Sequence, residues 1–338
     1  MEHTWNISGG GSDVPGRKTR RILVTGSCGQ IGSELVGELR NRYGNESVVA
    51  SDIKPEWDGE SEGPFERADV LDDGRLREVI RDHGIDTIVH MAAILSAKGE
   101  REPQAAWKVN VGGLMNALEA AREMGLSQVL CPSSIAVFGK GTPRENTPQE
   151  TVLKPSTMYG VTKVTGELLC DYYAEKFGVD ARGLRYPGIV SAETLPGGGT
   201  TDYAVEIFYD AVEKGRYTCF LREDARLPMM YMPDCINATI QLMEAEPSGL
   251  KHHGDYNVAA MSFTPAELAE EIHRSIPDFE IDYDPDYRQK IAESWPSSID
   301  DSAAREEWGW KPAYDLERMT EDMLERLRKR HEAGALYK

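Results

Sequence analysis

Tyrosine 159 and lysine 163 stand four residues apart in the run Tyr159-Gly160-Val161-Thr162-Lys163. On a helix that spacing places both side chains on one face, one turn apart. A phenol ordinarily titrates near pH 10, and a neighbouring cation favours its ionised form. Such a pair can take the proton of an alcohol while hydride leaves the same carbon. The spacing alone is not specific: the chain has 14 tyrosines, and Tyr172 with Lys176 repeats it thirteen residues further on. That second pair lies about 20 Å along the same helix axis, too far to serve the same reacting carbon. The first pair is preferred because it opens its helical segment just after Pro155 and Ser156, and follows Ser134 by 25 residues. Ser133 and Ser134 close an apolar, strand-like run, and ligands of alternating sheets bind where strands end. Ser134 is therefore a third catalytic candidate, able to hydrogen-bond the reacting oxygen.

A second constellation lies near the start. Thr25-Gly26-Ser27-Cys28-Gly29-Gln30-Ile31-Gly32 spaces three glycines as G-x-x-G-x-x-G. Glycines so placed let the backbone turn sharply and approach a pyrophosphate at a helix N-terminus. The motif follows a strand-like run and opens a helical one, and Asp52 lies twenty residues beyond Gly32. A carboxylate there accepts the hydroxyls of an adenosine ribose and repels a 2′-phosphate, which favours NAD over NADP. Gly26, Gly29, Gln30, Ile31, Gly32 and Asp52 are the candidate cofactor-binding residues.

These residues need elements to hold them. From Arg21 to Ile189 short β-rich runs alternate with helical stretches. The runs are 21–26, 47–53, 65–71, 86–93, 128–134 and 181–190, several apolar on both faces, as in strands covered by helices on both sides. The helical stretches are 30–42, 73–83, 103–124 and 156–177, the third bounded by Pro103 and Gly125. This alternation predicts an α/β fold with a Rossmann-type, doubly wound parallel sheet over 21–190. Beyond Val190 the regularity fails at Leu195-Pro196-Gly197-Gly198-Gly199. Helices are expected at 203–214, 234–245, after Thr264-Pro265, and at 315–330, with a strand at 256–260. Residues 191–330 read as a smaller C-terminal substrate lobe, some segments of which return to the main sheet. Residues 1–20 read as a flexible leader and 331–338 as a tail.

Composition bounds the partners. The net charge of −19 argues against nucleic acid or an anionic membrane surface. No run of about 18 apolar residues is present, so no membrane span is expected. Five cysteines without a Cys-x-x-Cys spacing read as reduced, mostly buried thiols of a reducing compartment. The cytoplasm is the expected location, with a mitochondrial matrix left open. No metal site is expected. Apolar positions on 103–124 and 156–177, among them Leu114, Leu118, Leu168 and Leu169, suggest a homodimer joined through these helices.

Taken together, TGSCGQIG, SDI at 51–53, DV at 69–70, HMAA at 90–93, NVGG at 110–113, SSIAVFG at 133–139 and YGVTK resemble the extended short-chain dehydrogenases, the group that contains UDP-galactose 4-epimerase. The resemblance spans residues 21–330. It implies that Asp69 and Val70 flank the adenine, and that Ala92, Ala93 and Asn110 line the cofactor path. Pro187 and Ile189 would pass the nicotinamide, whose ribose Lys163 would hold. The stretches 184–212, 217–235 and 293–300 are more similar to the short-chain L-threonine 3-dehydrogenases. That likeness implies oxidation of L-threonine at C3, with Tyr159 as base. It points to Ser96, Ser133, Ser134, Tyr159, Thr200 and Trp295 as substrate contacts. Two other readings compete. One is a sugar-nucleotide epimerase or dehydratase that retains NAD. The other is a cofactor-sensing regulatory protein, disfavoured by the intact Tyr159–Lys163 pair.

Overall fold

The computed structural model describes residues 20–57, 59, 61–195 and 197–337; all but the last residue of the expected leader lies outside them. Fourteen strands are described: β1 (Ile22–Thr25), β2 (Val48–Asp52), β3 (Phe65–Arg67), β4 (Thr87–His90), β5 (Gln128–Leu130), β6 (Ser133–Ser134), β7 (Ala181–Arg182), β8 (Leu184–Tyr186), β9 (Gly188–Val190), β10 (Arg216–Cys219), β11 (Leu227–Tyr231), β12 (Tyr256–Asn257), β13 (Met261–Phe263) and β14 (Glu280–Tyr283). The helices are α1 (Gln30–Tyr43), α2 (Asp73–His83), α3 (Ser96–Arg101), α4 (Pro103–Trp107), α5 (Gly113–Met124), α6 (Met158–Phe177), α7 (Tyr203–Lys214), α8 (Met232–Glu244), α9 (Pro265–Ser275), α10 (Arg288–Ala292), α11 (Ser302–Trp308) and α12 (Leu316–Glu332).

The main sheet runs β3-β2-β1-β4-β5-β7, with every pair parallel. The order reverses beside β1, which opens a crevice at the carboxyl ends of β1 and β4. Register puts Thr25 level with Ser51 on one side and His90 on the other. The β1 residues are all buried, as strands covered on both faces must be. Under one face lies a core that includes Leu35, Val36, Leu39, Ile240 and Trp310; the other face packs on α2, α5 and α6.

Two expected strands are interrupted. The run 128–134 breaks at Cys131-Pro132 into β5 and β6, because proline removes a ladder donor. The run 181–190 breaks at Gly183 and Pro187 into β7, β8 and β9. The offset pieces form further small sheets. β8 pairs in parallel with both β6 and β12. β11 pairs in parallel with β9 and antiparallel with β13. The expected strand 65–71 stops at Arg67.

The expected helix 103–124 is also interrupted. A wider π turn, Lys108–Gly112, separates α4 from α5, and π turns inside helices often mark functional sites. The helix α3 was not foreseen. The helix that carries Tyr159 and Lys163 begins at Met158 rather than Ser156, because the Thr157 hydroxyl accepts from the Gly160 amide at 3.1 Å and so caps it. The last helix continues to Glu332. The expected tail packs: Leu336 is buried in the core of the second half, and Tyr337 stacks on Tyr209.

Candidate active site

The glycine-rich turn shows why its residue types are needed. Gly26 has φ of +67°, and a Cβ there would sit 2.5 Å from the Ala92 nitrogen. A Cβ on Gly32 would lie 2.4 Å from the Gly26 carbonyl oxygen. A side chain at Gly26 would force the turn off the segment after β4, and one at Gly32 would push α1 off the turn. The Ser27 hydroxyl is buried within this turn without a protein partner, as is the Gln30 amide nitrogen. Asp52, at the end of β2, accepts from the Cys28 amide at 3.0 Å and the Lys54 amide at 3.2 Å. The turn, the helix N-terminus and the carboxylate thus converge as a dinucleotide site requires.

The other residues expected along the cofactor path vary in exposure. Asp69 is exposed and accepts from the Leu71 amide at 3.0 Å. Val70 is buried, and its carbonyl accepts from Asn116. Ala92 and Ala93 follow β4, half-buried, while Pro187 just before β9 and Ile189 within it are buried. Asn110, carried by the π turn, accepts from the Ile94 amide at 2.7 Å. It donates to the Ile94 carbonyl and to Thr162 Oγ1, both at 3.0 Å. In this structure Asn110 clamps the loop after β4 onto α6.

Tyr159 and Lys163 occupy the first turns of α6. Lys163 Nζ lies 5.5 Å from the centre of the Tyr159 ring and donates to the Pro132 carbonyl at 2.7 Å. The proline that breaks the strand therefore supplies an acceptor for the lysine. Ser134 Oγ accepts from the Ala136 amide at 3.2 Å, which leaves its own proton available for donation. Ser133 is engaged elsewhere: its hydroxyl donates to Glu167. That engagement argues against Ser133 as a substrate contact.

Ser96 is buried at the start of α3. That helix is docked on the first turn of α6: Glu100 accepts from the Met158 amide at 2.6 Å, and a Cβ on Gly99 would lie 3.8 Å from Tyr159 Cβ. Thr200 is 1% exposed, with its hydroxyl unpartnered. Its loop is fastened by Asp202, which accepts from the Gly198 amide at 2.7 Å and the Gly199 amide at 2.5 Å. Burial raises the Asp202 carboxyl above its ordinary range, opposed by those two amides and Arg288. A Cβ on Gly197 would lie 3.6 Å from Leu95 Cδ1, so the loop rests against the segment that leads into α3. Trp295 is buried in the core against which Tyr159 packs. The alternative pair stands apart: Tyr172 is exposed and stacks edge-on with Phe177.

Three features escaped the sequence reading. His90 ends β4 with Nδ1 3.1 Å from Thr25 Oγ1, and burial pushes its pKa down to about 3, aided by the charge of Lys163. Glu167 and Arg185 form a buried bidentate pair at 2.9 Å beneath Ser133. Glu34 on α1 accepts from Ser191 at 2.5 Å and joins the first helix to the segment after β9. Two of them left a sign in the sequence: His90 opens the HMAA run, and Glu167 stands one turn beyond Lys163 on the same helical face.

A dinucleotide cradle on a reversing parallel sheet, facing a tyrosine–lysine pair, defines a nicotinamide-dependent enzyme of the short-chain class. The model of the NAD dependent epimerase/dehydratase family matches residues 22–259, and the chain belongs to that family. An uncharacterized epimerase/dehydratase of Staphylococcus saprophyticus is 52% identical over 317 residues, 93% of this chain and 99% of the relative. The holo form of an L-threonine dehydrogenase from Cupriavidus necator is 52% identical with a TM-score of 0.90, covering 91% of this chain and 99% of that one. A monomeric L-threonine 3-dehydrogenase from a metagenome, in its apo form, is 49% identical with a TM-score of 0.88, covering 91% and 99%.

Proposed function

We propose that this protein oxidises L-threonine at C3 to 2-amino-3-ketobutyrate. The observation that carries the reading is the near-complete match to L-threonine dehydrogenases at about half identity, joined to a tyrosine–lysine pair in the first turns of α6. NAD, when bound, accepts the hydride. The turn Gly26–Gly32 and Asp52 hold its adenosine half, and Lys163 holds the nicotinamide ribose. Asp69, Val70, Ala92, Ala93, Pro187 and Ile189 line its path.

Tyr159 takes the proton of the C3 hydroxyl. The Lys163 ammonium, fixed by Pro132, faces the negative charge that develops on the phenol. Ser134 donates its free proton to the reacting oxygen. Thr200 and Ser96 hold the ammonium and carboxylate of the amino acid, and Trp295 backs the site. Residues 191–330 form the substrate lobe. The loop 196–201, whose Pro196 lies outside the described residues, closes over the ligand and excludes water. The test is a panel of L-threonine, D-threonine, L-serine and UDP-galactose, each with NAD. Conversion of UDP-galactose without NADH release would favour the epimerase reading of the same family.

Two further points belong to this reading. A homodimer through α6 is supported by Val161, Leu168 and Tyr172, which are exposed along one stripe of that helix. Leu114 and Leu118, counted on for the same interface, are instead buried within the monomer beside Cys170, and one relative is monomeric. Light scattering decides this, a monomer at working concentration being the contrary result. No helix among the described residues is long and apolar enough to cross a membrane, and the cytoplasm is the location proposed.

A further inference from the structure

His90 belongs to none of the roles assigned so far, yet its side chain is placed as though it has one. It is 5% exposed. Nδ1 faces Thr25 Oγ1 at 3.1 Å, and Nε2 is buried with no partner in the protein. A buried polar atom without a partner gives up its hydration with nothing in return, so an imidazole nitrogen is seldom left that way. A cavity of about 10 Å³ adjoins it, lined by His90, Lys163, Asn110, Thr162, Ser133 and Glu167 among others. That is roughly the volume one water molecule needs, and a buried water needs two to four polar partners. Lys163 offers one: an ammonium has three donors, and one of them goes to Pro132.

We propose that His90 is a positioning residue for Lys163, acting through a single buried water that the two side chains share. Lys163 donates to the water oxygen, the water donates to His90 Nε2, and His90 Nδ1–H donates to Thr25 Oγ1. This tautomer uses each of the ring's polar atoms once. It requires an uncharged imidazole, and burial with the Lys163 charge keeps it so across the physiological range. The other titratable groups facing the cavity are Glu167 of α6, held by Arg185 and Ser133, and Cys131, beside Pro132 and hydrogen-bonded to Cys170. Neither is placed to replace the imidazole as the link to β1. The lysine is thus fixed from two sides, by Pro132 and by the water. Its position is tied to Thr25, the residue from which the cofactor turn starts. The inference rests on the dehydrogenase reading, since Lys163 matters to rate only where Tyr159 is the base.

Two substitutions separate the ends of the ring. The amide of His90→Asn can replace Nδ1 and keep the bond to Thr25, but it loses the water. The amide of His90→Gln can reach the water and keep that link. The unsubstituted protein is assayed first with NAD and L-threonine; failure there rejects the functional reading and not this one. With activity present, His90→Asn should lose roughly tenfold in kcat at neutral pH and shift the acid limb of its pH profile upward by about one unit. KM for both substrates should stay within about twofold, and His90→Gln should keep the original profile. A high-resolution crystal structure of the NAD-bound protein should show the water between Nε2 and Nζ. A dry cavity there, an unshifted profile in His90→Asn, or equal loss in both variants would overturn the proposal.

Discussion

Lys163 Nζ lies 5.5 Å from the centre of the Tyr159 ring while bonded to the Pro132 carbonyl. The proposed base and its cation therefore share one helix, and the cation is anchored to the break between β5 and β6. Tyr159→Phe keeps the ring and removes the proton acceptor, so kcat should fall by roughly a thousandfold or more. Tyr172→Phe changes an exposed residue of the same helix and should leave kcat within about twofold. Steady-state kinetics on both variants, with melting curves to check folding, read this directly. The reverse pattern would exchange the two pairs.

Asp52 should set the choice of cofactor. Its carboxylate closes the turn through the Cys28 amide and stands where a 2′-phosphate would meet like charge. Replacing it with serine should reduce the NAD over NADP preference in kcat/KM by roughly tenfold, about 1.4 kcal/mol. Equal efficiency with both cofactors in the unsubstituted protein would refute the assignment.

Thr200 gives a prediction with two opposite signs. Its hydroxyl is buried and unpaired in the protein alone, a cost of about 1–3 kcal/mol. Thr200→Ala should therefore leave the ligand-free protein at least as stable as before, in spite of the lost methyl. The same change should raise KM for L-threonine by roughly five- to thirty-fold through the lost hydrogen bond, with KM for NAD nearly constant. A loss of melting temperature without any change in KM would make Thr200 a packing residue only.

Glu34 should make stability depend on pH. Burial raises its pKa from 4.5 to about 7, against the opposing hydrogen bond from Ser191. The folded state holds the proton more tightly than the unfolded chain does. Stability contributed by the neutral acid is complete below pH 4.5, is lost as pH rises to about 7, and is then constant. Glu34→Gln keeps an acceptor for Ser191 without the charge. It should raise the melting temperature at pH 8, by up to about 3 kcal/mol of stability, and change little at pH 4. A gain equal at both pH values would contradict this cause.

The parallel sheet and the neighbouring of Tyr159 and Lys163 on α6 were legible because they rest on local patterns. Apolar runs such as Ile22–Thr25 have few alternatives to a buried strand, and a four-residue spacing is geometry once a helix is granted. What escaped depends on contacts between distant segments. Nothing near Pro132 shows that its carbonyl will receive Lys163, or that Ser133 will turn to Glu167 while Ser134 does not. The π turn at Lys108–Gly112 runs through the weak helix formers Val109, Asn110, Val111 and Gly112, but their types do not call for a wider turn, and only the clamp of Asn110 on Ile94 makes its place intelligible. Leu114 and Leu118 misled for the same reason. A helix pattern shows which face is apolar, but not whether the sheet or a second copy covers it.

In the proposed reaction Tyr159, beside Lys163, takes the hydroxyl proton of L-threonine, and NAD, when bound, would accept the C3 hydride. The most direct measurement follows NADH absorbance on mixing purified protein with NAD and L-threonine, alongside the Tyr159→Phe variant. Steady NADH formation is expected that needs L-threonine, is absent with D-threonine, and is nearly abolished in the variant. No NADH from L-threonine with a folded, NAD-binding protein, or equal rates from protein and variant, would contradict it.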